Sequence, residues 1–293
     1  MLPNRTLVSR WTVAALALGL ALTSAPAPAA KKPKGPDISA YRGLAAWVDI
    51  YDDQGWADPE GTVAVMAQYG VRTLFLETCN YQCKADVHRP ETVSRWIDAA
   101  HGAGMQIVAW YLPGFEEMAL DFRRSMAAIE FQSATGHRFD SFALDIEARL
   151  VSPVLKRNRR ILVLSRRIRN AVGAKYALGA ITIPWFYEWG GPFPYAGLDR
   201  IYDVFLPMIY FGGRGSGAKN ARKNTALNIQ EVREGTGNLR TRVHAIGGIA
   251  DELNAREVGA FVRTANRRHV IGASLYDYFT SGPEDWDRLA LVR

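Results

Sequence analysis

Residues 140–147 read Asp-Ser-Phe-Ala-Leu-Asp-Ile-Glu and set two acids, Asp145 and Glu147, two positions apart in an apolar run. Side chains two apart on a strand share a face and are separated by roughly 6–7 Å of strand rise. With Phe142, Leu144 and Ile146 turned to the other side, Ala143, Asp145 and Glu147 face one way. Two carboxylates so close do not both ionise freely, so one keeps its proton to higher pH. A proton donor beside an ionised partner is equipment for general acid/base chemistry.

The same arrangement recurs elsewhere. In Trp47-Val-Asp49-Ile-Tyr51 the alternation puts Trp47, Asp49 and Tyr51 on one face, and Glu77 closes the apolar run Thr-Leu-Phe-Leu-Glu. Trp110-Tyr111, Met208-Ile-Tyr210 and Tyr276-Asp277-Tyr278 end three further runs, and Trp185-Phe-Tyr187-Glu-Trp189 follows a fourth. Acids and aromatic rings gathered at strand ends suit acid/base attack on a glycosidic bond, the rings offering flat faces to sugars. Asp145 and Glu147 are the expected catalytic pair, with Asp49 and Glu77 as further candidates. Trp47, Tyr51, Trp110, Tyr111, Trp185, Tyr187, Trp189 and Asp277 are the expected substrate contacts. Other uses of such acids are a salt-bridged layer, for which the strands offer almost no basic residues, and a magnesium site built on carboxylates.

Other chemistry is sparse. The five histidines form no zinc-binding motif, so no metal and no cofactor is expected. Cys79 and Cys83, in Cys-Asn-Tyr-Gln-Cys, are expected to pair as a disulfide that pins a local bend. Phe211-Gly-Gly-Arg-Gly-Ser-Gly217 and Gly247-Gly248 match no nucleotide-binding pattern; the second hints at phosphate, as in a phosphate- or lipid-headgroup hydrolase, but read as mobile loops.

Eight apolar runs alternate with helical stretches: Gly43–Asp49, Arg72–Glu77, Gln106–Tyr111, Ser141–Glu147, Ala177–Pro184, Val204–Tyr210, Val243–Ile246 and Ala273–Tyr278. Runs with few charges suit parallel strands buried on both faces. Between them stands helix punctuation: Asp58-Pro59 to Gly70, Pro90 to Gly102, Glu116 to Thr135, and Ser152-Pro153 to Gly173. Eight strand–helix units predict an α/β fold, a single (β/α)8 TIM barrel over residues 41–293, with function at the C-terminal ends of the strands.

The strand-4 motif Asp140-Ser-Phe-Ala-Leu-Asp145-Ile-Glu147 resembles that of glycoside hydrolase family 18, the chitinase-like barrels, Asp-x-x-Asp-x-Asp-x-Glu, and Met208-Ile-Tyr210 is similar to their Met-x-Tyr. The resemblance implies Glu147 as proton donor, Asp145 as stabiliser of a reacting acetamido group, and Tyr210 as its aid. Ala143 stands where that family has its middle Asp, which puts the substrate-assisted step in question. Asp49-Ile-Tyr-Asp-Asp-Gln-Gly55 is also similar to the first strand of family 25, the muramidases, and implies Asp49 in the site; Tyr51 replaces their Ser. Both likenesses cover about a tenth of the chain.

Composition frames these readings. Of 293 residues 48% are hydrophobic and 22% charged, as in a globular protein rather than a disordered or fibrous one. Arg5 and Arg10, the apolar run Trp11–Leu22 and a small-residue stretch to Ala30 read as a secretory signal over residues 1–30, too short for a stable membrane span. A basic flexible lead-in over residues 31–40 follows, and the protein is expected outside the cell or in the cell-wall space. The net charge of +7 is concentrated in Lys156–Arg169, which carries seven basic residues and no acid. For an exported chain this reads as a solvated helix face, with at most a loose attraction to anionic cell-wall polymer and no nucleic-acid binding. The sequence thus points to an exported hydrolase of an extracellular polysaccharide or oligosaccharide, or to a carbohydrate-binding barrel that Ala143 has left without chemistry.

Overall fold

A computed structural model describes residues 35–293, Trp185 excepted. The expected signal at 1–30, and Lys31, Lys32 and Lys34 of the lead-in, lie outside the described residues. Ile38 and Ala40, upstream of the expected domain boundary, are buried, and Ser39–Tyr41 form a 3-10 turn beneath the barrel.

Eight parallel strands form the barrel: β1 (Gly43–Val48), β2 (Thr73–Asn80), β3 (Gln106–Leu112), β4 (Ser141–Ile146), β5 (Leu178–Thr182), β6 (Val204–Pro207), β7 (His244–Ile249) and β8 (Gly272–Tyr276). Their spatial order runs β6-β5-β4-β3-β2-β1-β8-β7. Bridges Phe205–Val243 and Met208–Ile246 join β6 to β7 and nearly close the cylinder. Each strand lies within a few residues of its predicted run because it is apolar on both faces, one packed on the interior and one on the helices.

The surrounding helices are α1 (Asp53–Ala57), α2 (Pro59–Gln68), α3 (Pro90–Gly102), α4 (Met118–Glu130), α5 (Val154–Val172), α6 (Tyr195–Leu198), α7 (Ala218–Thr236), α8 (Ala255–Arg267) and α9 (Pro283–Leu289). Local chemistry fixes their ends. Asp58 caps α2 by accepting from the Gly61 N–H, with Pro59 in the first turn. Gly173, at φ 75°, ends α5 in a conformation that disfavours a β-carbon. Helix α4 stops earlier than its periodicity predicts, because Phe131 turns extended and Ser133 bonds across a turn to His137.

The barrel interior below the mouth is a packed plug. Trp47 stacks on Phe75, with ring centroids 4.2 Å apart, and donates its indole N–H to Ser274 Oγ at 2.8 Å. His244 sits against the same ring, held between the Tyr41 carbonyl and Ser274, and burial pushes its imidazole down to about 4. Neutral at ordinary pH, it is a core histidine. Among the described residues no helix is long and apolar enough to cross a membrane.

Candidate active site

At the C-terminal mouth of the barrel lies a cleft of about 320 Å³, lined by Glu77, Asn80, Trp110, Asp145, Glu147, Met208, Tyr210 and Tyr276, with Tyr51, Tyr81 and Gln82 at its edge. Ala143, Asp145 and Glu147 take the inward face of β4 and its extension, as their alternation requires. Among the described residues no Arg, Lys or His lines the cleft, so the acids there are not the charge-paired layer considered above. Among the described residues no three His, Cys, Asp or Glu side chains converge as metal ligands.

Each acid is held differently. Asp145 is 6% exposed, and its Oδ1 has no hydrogen-bond partner among the described residues. Burial, followed by the charges of Glu147 and Glu77, pushes its carboxyl well above the usual carboxylate range. Glu147, beyond the end of β4 and half-buried, is also raised by burial. Glu77 is 2% exposed and accepts from the Ile50 N–H and from Asn80 Nδ2, both at 3.1 Å. Burial, helped by the Asp49 and Glu147 charges, outweighs those bonds and brings Glu77 to about 7.

Asp49 stands behind the lining. Its Oδ2 accepts from the Tyr276 hydroxyl at 2.5 Å and its Oδ1 from the Tyr51 N–H at 2.8 Å, so it positions the cleft wall. Tyr210 reaches the cleft with φ 36°; burial first, then the Glu147 and Asp145 charges, raises its hydroxyl. Trp110 lines the cleft, and its buried Nε1 has no partner among the described residues. Tyr51, 67% exposed, stands at the edge and accepts from Asn80 Nδ2 at 3.0 Å.

Several expected contacts lie elsewhere. Trp47 is inward but one layer too deep, in the plug beneath Trp110. Tyr111, next to Trp110, must face the opposite side, where its hydroxyl donates to Asp121 of α4 at 2.7 Å. Asp277 spends its carboxylate on its own turn, accepting from the Thr280 N–H and hydroxyl at 3.0 and 2.9 Å. Trp189 is buried under the Arg157 guanidinium, 3.9 Å from its ring, and donates to Asn158. Tyr187 lies beneath Arg149 at 4.4 Å. These two loop aromatics therefore pack on cationic side chains and do not line the cleft, while Trp185 lies outside the described residues.

The same packing accounts for much of the basic helix. Arg157 donates to the Val151 and Trp189 carbonyls, Arg160 to those of Phe115 and Glu116, and Arg169 pairs with Asp203 at 2.6 Å. Arg167 lies over the Phe122 ring.

Asn80 and Tyr276, with Tyr81 and Gln82 at the edge, are among the cleft residues that were not expected site residues. A register shift between Glu77 and Cys79 breaks the two-residue alternation and brings Glu77 and Asn80 to one face. Cys79 and Cys83, joined as a disulfide with Cα atoms 5.9 Å apart, close the loop beside Asn80. Arg124 fastens that loop by donating to the Asn80 and Cys83 carbonyls.

No protein-family model and no curated protein matches the chain. Solved structures match in fold. A chitinase from Bacteroides thetaiotaomicron aligns with 86% of this chain and 95% of its own, at 12% identity and TM-score 0.62. A family GH18 chitinase from Cycas revoluta, in complex with allosamidin, covers 85% and 97%, at 10% identity and TM-score 0.58. The spore cortex-lytic enzyme SleL from Bacillus cereus covers 86% and 74%, at 9% identity and TM-score 0.63. At such identities the likeness is one of fold, and the family 25 resemblance rests on its sequence motif alone. The chain has a TIM barrel similar to those of the family 18 glycoside hydrolases.

Proposed function

We propose that the chain is an exported glycoside hydrolase that cleaves an extracellular or cell-wall glycan with carboxylates and no metal. The observation that carries this reading is the cleft itself: three acids with elevated affinity for protons and, among the described residues, no basic lining and no partner for Asp145 Oδ1 or Trp110 Nε1. Buried polar groups are ordinarily satisfied, and a bound polyol can satisfy both kinds, donating to the carboxyl and accepting from the indole. Structural neighbours that are glycoside hydrolases support the same reading.

In the proposed reaction Glu147, nearer solvent, delivers a proton to the oxygen of the leaving sugar. Asp145 and Glu147 titrate as a pair, so the proton Glu147 gives up is offset by the charge the pair regains. The charge left on the pair then faces the positive character developing at the sugar carbon; as the C–O bond to the leaving sugar breaks, water adds its oxygen to that carbon and gives its proton to the pair, which restores the protonated acid. Tyr210, beyond the end of β6, contributes its hydroxyl to the same cleft, while Asp49 keeps Tyr276 in place. Glu147→Gln tests this: hydrolysis of a chitin, mannan or peptidoglycan fragment should fall at least 1,000-fold, with the unfolding midpoint and glycan affinity unchanged. Full activity in that variant removes the assignment.

Ala143 favours a second reading, a carbohydrate-binding barrel without turnover. Its methyl occupies the inward position below Asp145 and leaves that carboxyl no acidic neighbour on that side, only Glu147 above it. Saturable glycan binding by the unsubstituted chain without release of reducing ends would select it.

A further inference from the structure

Where α8 packs against α9 and the residues after it, a cavity of about 490 Å³ opens that shares no lining residue with the cleft. Gly259, Arg263, Asn266 and Arg267 fall on one face of α8 at helical spacing, while Arg288 and Arg293 come from α9 and the tail. Four guanidinium groups therefore line one pocket. Among the described residues no Asp or Glu lines it, and none of the four arginines is in an ion pair. Gly259 is the floor. A β-carbon there would stand 3.1 Å from Arg263 Nη1 and 3.8 Å from Arg288 Cδ, so the two side chains converge over bare backbone. Asn266 holds the tail in place, donating to the Leu291 carbonyl at 2.9 Å and accepting from the Arg293 N–H at 3.1 Å.

Arginines elsewhere in the chain are spent on structure. Arg124, Arg157 and Arg160 cap carbonyls, and Arg169 pairs with Asp203. Arg233 of α7 meets the Arg268 and His269 carbonyls past the end of α8, so the pocket arginines are not needed there. Of the four, only Arg267 uses its guanidinium in a hydrogen bond among the described residues, to Thr264 Oγ1 at 3.3 Å. Guanidinium groups brought together repel, and an oxyanion seated between their forks turns that repulsion into attraction. Four of them have donors for two phosphates, each gripped from two sides. Val262, Leu291 and Val292 give the carbons between the phosphates an apolar surface. Among the described residues no aromatic ring lines the pocket, so a nucleobase has nothing to stack on.

We infer that this pocket binds two successive phosphates of a polyol phosphate chain and so tethers the protein to a phosphate-bearing polymer, an inference independent of the glycan reading above. Arg263→Ala with Arg288→Ala tests it; both side chains are exposed, so the unfolding midpoint should not move. Arg159→Ala with Arg166→Ala, two exposed positions of α5, removes the same charge elsewhere. The full chain is titrated calorimetrically with a glycerol-phosphate hexamer in about 150 mM salt. The unsubstituted chain should bind the hexamer saturably. The α8–α9 alanine pair should weaken binding about 100-fold, and the α5 pair less than about twofold. Arg263→Lys with Arg288→Lys, which keeps the charge and loses the forks, should weaken it about tenfold. No saturable binding, equal losses from the two alanine pairs, or full affinity in the lysine pair overturns the site. Equal or tighter binding of a thymidine hexanucleotide, or of vesicles of equimolar phosphatidylglycerol and phosphatidylcholine, overturns it too, by giving the arginines a different partner.

Discussion

Trp47 and Trp110 occupy inward positions on different strands, and only Trp110 reaches the cleft. Alternation along a strand reveals which face a side chain takes but not its depth in the cylinder, which depends on where neighbouring strands stop. That is why Glu77, Asp145, Glu147 and Trp110 could be read as cleft residues from sequence while Trp47 was placed too high. Tyr111 was a different error, since adjacent residues cannot share a face. Asn80 escaped because a bulge overrides the alternation it would have obeyed. Asp49 was legible as an inward acid, but its engagement with Tyr276 depends on strands that are 227 positions apart in sequence. Tyr276→Phe would leave Asp49 Oδ2 without its hydroxyl donor. We expect a loss of about 1–3 kcal/mol in urea unfolding, the usual consequence of stranding a buried acceptor. A stability unchanged within error would show that solvent takes over the bond.

At the scale of elements, strand and helix order was legible because apolar runs and Pro/Gly punctuation are local signals, whereas the role of α5 was not. Its charge density suggested a solvated face, yet four of its seven basic residues cap carbonyls, pair with Asp203 or lie over aromatic rings. A long cationic side chain can serve as packing material as readily as surface charge. Arg157→Ala should therefore destabilise the fold by about 2–4 kcal/mol, because it uncaps two buried carbonyls and uncovers Trp189. Arg159→Ala, on the exposed side of the same helix, should stay within about 0.5 kcal/mol. Equal effects in a denaturant titration would return α5 to a purely solvated role.

The whole molecule carries an excess of positive charge, yet its cleft gathers acids that resist ionisation. Burial pushes Glu77 of the cleft up to about 7, and it does the same to Glu231, which lies away from the cleft on α7 beside Tyr195. The folded state holds protons that the unfolded chain releases, so their contribution to stability is complete below about pH 4.5 and lost as pH rises through about 7. Asp145 acts in the same direction. His244, depressed from 6.5 to about 4 by burial, acts the other way, its contribution being lost as pH falls through that range. With several raised acids against one deeply depressed histidine, unfolding free energy should fall by about 2–4 kcal/mol between pH 5 and 8. Denaturant titrations across that range would test it, and a rise toward pH 8 would contradict the proton inventory. The β6–β7 closure has a separate consequence. Those two strands meet through isolated bridges rather than a full ladder, and Met208 and Tyr210 stand at that edge of the cleft. The cylinder thus has a zip along one side, and parting its upper teeth would widen the entrance while the rungs that hold Asp145 stayed fastened.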